Sequence, residues 1–438
     1  MRLSCAVLVG LGLVGMGSGV ARVSALDTTQ TLHHARTSSH LVEPHHAVKH
    51  AAPHQTAHSR AGTTSSAHAR SATSVHTGSA ATHASRNLGN GAGTIRRTRL
   101  AVHHHYYERF TASSFASSDI FANDITAGED PIVRQAAIDA LGDMNGTAVV
   151  INPANGRILA MVNQKLALSP GAEPCSTIKL TVAMAALSEG LVTRDTMVQL
   201  DGFRMNMTEA LAHSNNLYFE ELGRELGFER VRHYANQFGL GELAGYNIPG
   251  EQLGVYPAEP IPASEGGVGR MCSFGQGVSM TPLQLGAFVA ALANGGTLYY
   301  LQHPTTPEEI AAFEPKVKRT LDIARFVPDL QDGMAGAVEY GTARRLRASF
   351  TELPVFGKTG TCSNLGTRFG WFASYSESPQ GSLVSVFFLE GGRPTFGPRA
   401  AELTGTFYRN LWDRNYFVEK ATSATLAPVS TTVQGTNP

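Results

Sequence analysis

The chain has 438 residues, and its 35 basic and 35 acidic side chains cancel, so its net charge gives no reason to expect a nucleic-acid partner or an acidic substrate. The balance is uneven along the chain: residues 26–105 hold eight basic and two acidic residues, 14 of the 17 histidines and no Phe, Trp or Tyr. Such a segment cannot build a packed core, which predicts a tail followed by a globular body.

The first 25 residues have the organisation of an export signal. Met1-Arg2 precede an apolar run from Leu3 to Val20, and small residues precede a cleavage point after Ala25. The run is just long enough to span a bilayer, so an uncleaved anchor is the alternative, although its glycines favour cleavage. We expect the body to be exported to the periplasm or the outer face of the cytoplasmic membrane, and to meet the membrane only if this segment is retained.

Residues 26–105 mix Ala, Ser, Thr and His without periodic apolar positions, which predicts a disordered linker. A metal site is the alternative, because His33-His34, His45-His46 and His103-His104-His105 offer clustered imidazoles. Their spacing is irregular and no Cys or carboxylate completes a ligand set. We therefore expect a solvated spacer, with no metal and no organic cofactor.

The body, predicted over 106–415 with a flexible tail at 416–438, begins with a helix and a hairpin. Asp130-Pro131 start a helix that ends near Gly142, and apolar runs at 148–151 and 158–162 flank a turn cluster. Helical patterns follow at 176–189, 216–226, 228–238, 281–294 and up to about Gly341; strands return at 353–362, 370–376 and 382–389, before a helix at 398–412. This order predicts an α+β fold whose antiparallel sheet is assembled from both ends of the segment, with flanking helices and a helical lobe.

The candidate chemistry begins at Ser176, with Lys179 three residues later at the start of a predicted helix. This spacing brings a hydroxyl and an amine to one helix face, where the amine can act as a base and the helix N-terminus favours an oxyanion. On its own the pair is a weak signal. A helix cap followed by a surface lysine would look the same.

Two further motifs change that interpretation. Ser214-Asn215-Asn216 precedes a helix, and Lys358-Thr359-Gly360-Thr361 lies on a predicted strand. Separately they could be a helix cap and a protected edge strand. Together, the ordered set Ser-x-x-Lys, Ser-x-Asn and Lys-Thr-Gly resembles the penicillin-binding protein transpeptidases and the serine β-lactamases that share their fold.

The surrounding sequence is more similar to the penicillin-binding proteins, over about residues 130 to 412. Residues 152–160 resemble the family's first hairpin, 274–285 its Gly-Gln-Gly and Thr-Pro-Leu-Gln helix, and Met334 to Ala343 its Gly-Met and Gly-Thr-Ala segment. The chain departs from the family pattern at Cys175, where Gly is usual, and in the short connection of 13 residues between Val162 and Ser176. No glycosyltransferase domain or large amino-terminal pedestal is recognisable before the body. The short connection predicts a more open cleft.

The resemblance implies a role for each motif residue. Ser176 would be the nucleophile and Lys179 its base, kept neutral by burial and by the second cation, Lys358. Ser214 would relay the proton to the leaving amine, and Asn216 would hold Lys179 and the substrate amide. Backbone N–H groups of Ser176 and of the residue after Gly360 would form the oxyanion hole.

Substrate binding is expected along the strand that carries Lys358. The hydroxyls of Thr359 and Thr361 suit a terminal carboxylate, and Gly360 leaves room for substrate backbone at the strand edge. The implied activity is peptidoglycan D,D-transpeptidation of D-Ala-D-Ala stem peptides through an acyl-enzyme, with β-lactam antibiotics as covalent inhibitors. The alternatives are a β-lactamase or D,D-carboxypeptidase, and a non-catalytic protein that binds cell-wall fragments or β-lactams.

Three cysteines remain after signal cleavage, Cys175, Cys272 and Cys362, and each adjoins a segment expected near the cleft. In an exported protein two of them could form a bridge that stiffens the site, while all three cannot pair within one chain. The alternative is three buried thiols that fill the core. The sequence alone favours neither.

Overall fold

A computed structural model describes residues 112–418, and the described part of the chain contains a five-stranded antiparallel sheet. Its order is β2-β1-β9-β8-β7, and the pairs β3-β4 and β5-β6 form two small ladders elsewhere. The strands are β1 Gly146–Asn152, β2 Arg157–Val162, β3 Val198–Gln199, β4 Arg204–Met205, β5 Thr297–Tyr299, β6 Val317–Thr320, β7 Val355–Asn364, β8 Thr367–Ser378 and β9 Gly381–Gly391.

Helices cover both faces of this sheet. They are α1 Pro131–Leu141, α2 Gln164–Ala167, α3 Lys179–Ser188, α4 Met207–Ala212, α5 Asn216–Gln237, α6 Gly267–Phe274, α7 Pro282–Ala293, α8 Pro307–Ala311, α9 Val327–Glu339 and α10 Gly397–Asp413. Short 3-10 turns lie at Cys175–Ile178, Ala263–Glu265, Ala324–Phe326 and Arg344–Ala348. None of the helices within 112–418 is long and apolar enough to cross a membrane.

The sheet joins the two ends of the folded segment, as the order of the sequence patterns predicted. β1 pairs with β2 in a hairpin and with β9 on its other side, where Val149 lies opposite Val386. β8 then pairs with β9 and β7, which leaves β7 at the edge. The α+β fold with an antiparallel sheet and a helical lobe is therefore confirmed.

Alternation along the central strands sorts their side chains into two cores, because successive residues of a strand face opposite sides. Val149 and Ile151 of β1 pack with α3, α5 and α7, whereas Ala148 and Val150 pack with α1 and α10. Both helical layers bury continuous apolar surface against the sheet.

Two boundaries differ from the sequence prediction. The helix predicted from Ser176 begins as a 3-10 turn and becomes α-helical only at Lys179. The two helices predicted on either side of Gly227 are separated there as expected, because Gly227 has a non-helical backbone with φ +73° inside the segment labelled α5. The folded body also extends past 415, because Tyr416 and Phe417 are buried in the core beside α10.

The structure contains one of the disulfide bridges that the sequence allowed. Cys175 and Cys362 form a disulfide with a Cα–Cα distance of 5.6 Å, while Cys272 is a buried free thiol. The bridge joins residues 187 positions apart, and limiting the unfolded chain over so long a loop stabilises the fold by up to about 5 kcal/mol.

Several predictions concern residues beyond the described range. The export signal at 1–25, the linker at 26–105, the histidine clusters within it and most of the tail at 416–438 lie outside residues 112–418. Within 112–418, no group of three or more His, Cys, Asp or Glu residues is arranged to hold a metal ion.

Candidate active site

Three segments place polar side chains around one point between the sheet and the helical lobe. The first is the 3-10 turn Cys175–Ile178, called here the nucleophile turn, which leads directly into α3. The second is the connection between α4 and α5, and the third is the edge strand β7. The three motifs that the sequence singled out therefore meet in space.

Lys179 lies at the centre of this cluster and is fully buried. Its Nζ is 3.1 Å from Ser176 Oγ, 2.8 Å from the backbone oxygen of Ser214 and 2.6 Å from Asn216 Oδ1. The last two atoms are pure acceptors, so a neutral amine gives its two hydrogens to them. Its lone pair is then left to accept the proton of the Ser176 hydroxyl.

The electrostatics of the site favour the neutral form of Lys179. Burial, and then the nearby charge of Lys358, lower the pKa of Lys179 well below the usual lysine value, whereas Glu220 acts in the opposite direction. Both carboxylate oxygens of Glu220 are engaged, one by Ser273 Oγ at 3.3 Å and the other by Arg224 at 3.3 Å. The amine is therefore suited to act as a base.

Ser214 connects the two lysines. Its hydroxyl is 3.1 Å from Lys179 Nζ and 2.9 Å from Lys358 Nζ. Its backbone has φ +56°, in the left-handed region that few residues other than glycine adopt. The capping that the alternative interpretation gave to this motif is done by Asn215, whose Oδ1 accepts from the Tyr218 N–H. Ser214 and Asn216 thus remain free to face Lys179.

Lys358 is also fully buried, and its Nζ donates to its neighbour's carbonyl, Thr359 O, at 2.9 Å as well as to Ser214. Burial lowers the pKa of Lys358 to about 7. Lys358 therefore lies in the same buried cluster as Lys179, and, besides burial, it is the protonated form of Lys358 that lowers the pKa of Lys179.

The face of β7 directed at the nucleophile turn consists of alternate residues 358, 360 and 362. A Cβ on Gly360 would lie 2.8 Å from Pro174 O and 3.2 Å from Thr177 Cγ2, so a side chain there would push the strand away from the turn. The sequence analysis explained this glycine by substrate access. Close packing of β7 on the nucleophile turn is a second reason, which no local pattern revealed.

The hydroxyls of Thr359 and Thr361 both have protein partners. Thr359 Oγ1 donates to Thr342 Oγ1 at 2.7 Å, and Thr361 Oγ1 accepts from the Gly397 N–H at 2.8 Å. Accepting that bond leaves the proton of Thr361 available for another acceptor. Thr342 lies in the Gly-Thr-Ala segment quoted above for its resemblance, to which the sequence analysis gave no role in the site.

Further buried residues occupy supporting positions. Tyr218 and Phe219 lie in the core, and the Phe219 ring centroid is 5.5 Å from Lys179 Nζ, which adds to the dry surroundings of the amine. Trp371 is buried and stacked on Phe388, and its Nε1 donates to Glu173 O just before the nucleophile turn. This last contact was not foreseen.

Comparisons with known proteins identify the family. Residues 146–405, more than half of the chain, match the family described as the penicillin binding protein transpeptidase domain. The chain therefore belongs to the penicillin-binding protein transpeptidase family. Stage V sporulation protein D of Bacillus subtilis is 29% identical over 317 residues, which cover 60% of this chain and 48% of that protein.

Relatives of lower sequence identity also include transpeptidases. The peptidoglycan D,D-transpeptidase FtsI of Escherichia coli K12 is 26% identical over 291 residues, 59% of this chain and 46% of that protein. A crystal structure of the D,D-transpeptidase domain of a peptidoglycan glycosyltransferase from Eggerthella lenta shares the fold, with a TM-score of 0.52, 20% identity and coverage of 65% and 82% of the two chains. The chain spans about half the length of the curated relatives it matches.

Proposed function

We propose that the protein is a peptidoglycan D,D-transpeptidase that forms an acyl-enzyme on Ser176. The observation that carries the proposal is the unbroken set of contacts from Ser176 Oγ through Lys179 Nζ and Ser214 Oγ to Lys358 Nζ. It supplies a nucleophile, a base, a relay and a cation in one row of contacts.

The first half-reaction follows from these contacts. Lys179 accepts the proton of the Ser176 hydroxyl while Ser176 Oγ attacks the carbonyl carbon of the D-Ala-D-Ala peptide bond, which gives a tetrahedral oxyanion. The C–N bond breaks when this intermediate collapses. The proton passes from Lys179 through the Ser214 hydroxyl to the departing D-Ala amine. An amine of a neighbouring stem peptide then attacks the acyl carbon, and its proton passes to Lys179. Lys179 returns a proton to Ser176 Oγ as the C–O bond to Ser176 breaks.

The negative charge that develops on the substrate's carbonyl oxygen must be stabilised by hydrogen-bond donors in both half-reactions. The backbone N–H groups of Ser176 and Thr361 are the proposed oxyanion hole, since Ser176 lies in the nucleophile turn and Thr361 lies on the edge strand that packs against this turn. Each such donor is worth about 3–4 kcal/mol to the transition state. The Thr361 hydroxyl and Lys358 are the proposed contacts of the substrate's terminal carboxylate, with the Gly360 segment pairing with its backbone.

Hydrolysis of the acyl-enzyme is the competing function. It requires a base that positions water, and Lys179 is the hydrogen-bond partner of Ser176 Oγ in the described residues. Glu220, the carboxylate whose charge acts on Lys179, is held by Ser273 and Arg224. This arrangement favours transfer to an amine over transfer to water.

Incubation with a labelled penicillin tests the proposal. We expect one adduct per chain by intact mass, stable for hours, because a site that uses an amine to resolve acyl-enzymes offers no positioned water. Peptide mapping should place the adduct on Ser176, and the Ser176→Ala variant should form none. Release within minutes would identify a hydrolase, and absence of any adduct from the native protein would identify a non-catalytic binding protein.

We propose further that residues 1–25 direct export and that 26–105 are a spacer outside the catalytic domain. Deleting 26–105 should leave the penicillin acylation rate and the melting temperature unchanged, because a segment without aromatic residues buries little apolar surface. Calorimetry and acylation kinetics on full-length and deleted proteins check this. A melting temperature lowered by several degrees in the deleted protein would show that the segment packs on the domain.

A further inference from the structure

The disulfide joins the residue directly before Ser176 to the strand that carries Lys358. Cys175 is fully buried, and Cys362 lies on the same face of β7 as Lys358 and Gly360, since the three positions alternate along the strand. Lys358 contacts Ser214 and Gly360 packs on the nucleophile turn. The bridge is therefore the third contact of one continuous face.

The backbone of Cys175 has a left-handed conformation, with φ +52°. A residue with a Cβ rarely adopts this conformation, whereas glycine adopts it without steric cost. Because Ser176 follows directly, the conformation of Cys175 sets the direction of the Ser176 N–H and the position of its Oγ. Contacts elsewhere in the protein must therefore hold Cys175 in the left-handed conformation.

The packing around the turn leaves little freedom for adjustment. A Cβ on Gly275 would lie 2.4 Å from Pro174 Cγ, and one on Gly360 would lie 2.8 Å from Pro174 O, so the turn is enclosed on both sides. If the disulfide is reduced, the sulfur atoms of Cys175 and Cys362 must move apart, because non-bonded sulfur atoms cannot approach to covalent-bond distance. Since Cys175 is fully buried, breaking the bond transfers this displacement to the backbone before Ser176.

We propose that Cys175 and Cys362 are positioning residues: their disulfide holds Cys175 in the left-handed conformation and thereby aligns Ser176 with β7 for acylation. The inference rests on the proposed acylation of Ser176. It makes the reaction rate dependent on the redox state of one bond. A misplacement of about 1 Å at a reacting group costs about 100-fold in rate, which sets the scale of the effect.

Reduction with dithiothreitol provides the first test. The reagent's two thiols become its cyclic disulfide, and the bridge gains two electrons and two protons to become two cysteine thiols. We expect penicillin acylation of the reduced native protein at 25 °C to be about 10- to 100-fold slower. The loss should appear in the first-order acylation constant, with the dissociation constant of the noncovalent complex unchanged.

Two variants separate positioning from stability. Cys362→Ala leaves an unbridged Cys175 and should be as slow as the reduced native protein, with no further response to dithiothreitol. Cys175→Gly combined with Cys362→Ala also lacks the bridge, but glycine adopts the left-handed conformation freely. It should melt as early as Cys362→Ala, yet acylate at least about tenfold faster.

A reduced native protein that acylates within twofold of the oxidised protein would overturn the inference. So would a glycine variant no faster than Cys362→Ala, because the bridge would then act only through stability. If the oxidised native protein forms no adduct at all, the proposed function fails, and amide hydrogen exchange of residues 175–179 decides the inference instead. Exchange there should rise on reduction of the native protein and remain lower in the glycine variant than in Cys362→Ala; equal exchange in all states would refute it.

Discussion

Replacing Lys179 with methionine should slow penicillin acylation of Ser176 by about 10²–10⁴-fold, the usual contribution of a general base. Methionine keeps much of the volume of a side chain that is fully buried, so the helix α3 and its core contacts should be retained. What disappears is the amine 3.1 Å from Ser176 Oγ. Stopped-flow or quenched-flow acylation kinetics, with circular dichroism to verify folding, measure the effect.

Lys165→Met is the matched control, because it makes the same chemical change on the exposed surface of α2. It should acylate at the native rate. A Lys179→Met protein within tenfold of native would show that another group removes the proton of Ser176, and Lys179 would then be only a structural partner of Ser214 and Asn216.

Much of the fold could be predicted because the relevant signals are local and periodic. Short apolar runs at 148–151 and 382–389 identified strands whose two faces enter different cores. The turn cluster at 152–156 identified the hairpin, and the order of strands and helices implied a sheet built from both ends. The site residues followed from the spacing and order of three motifs rather than from any one of them.

The remaining features depend on distances between segments far apart in the chain. Three cysteines near the cleft allowed a bridge or none, because the sequence does not give the 5.6 Å between the Cα atoms of Cys175 and Cys362. The partners of Thr359 and Thr361 come from the connection after α9 and the start of α10. The conformation of Cys175 is likewise set by tertiary contacts, since local preference opposes it.

Replacing Lys358 with methionine should raise stability while it reduces acylation. Burial lowers the pKa of Lys358 to about 7, so at pH 6 the amine is protonated in the folded protein and its charge is solvated less well there than in water. Removing the amine forfeits its hydrogen bonds to Ser214 and Thr359 O, which offsets part of the gain. We expect a net increase of about 1–3 kcal/mol in the free energy of unfolding at pH 6.

The sign of the pH dependence follows from linkage. The folded-state pKa of about 7 lies below the unfolded value of 10.5, so between these values the unfolded chain binds more protons at this position. The contribution of Lys358 to the free energy of unfolding therefore rises with pH over this window, and its full penalty is present only below pH 7. The methionine variant lacks this contribution.

The stability advantage of Lys358→Met should consequently be largest near pH 6 and shrink towards pH 10. Chemical denaturation of the native, Lys358→Met and Lys165→Met proteins across this range measures it, with the exposed Lys165 reporting the effect of losing a solvated charge. An advantage that does not change with pH would mean that Lys358 titrates like a surface lysine. A Lys358→Met protein less stable than native at pH 6 would mean that the contacts of Lys358 with Ser214 and Thr359 outweigh the cost of its burial.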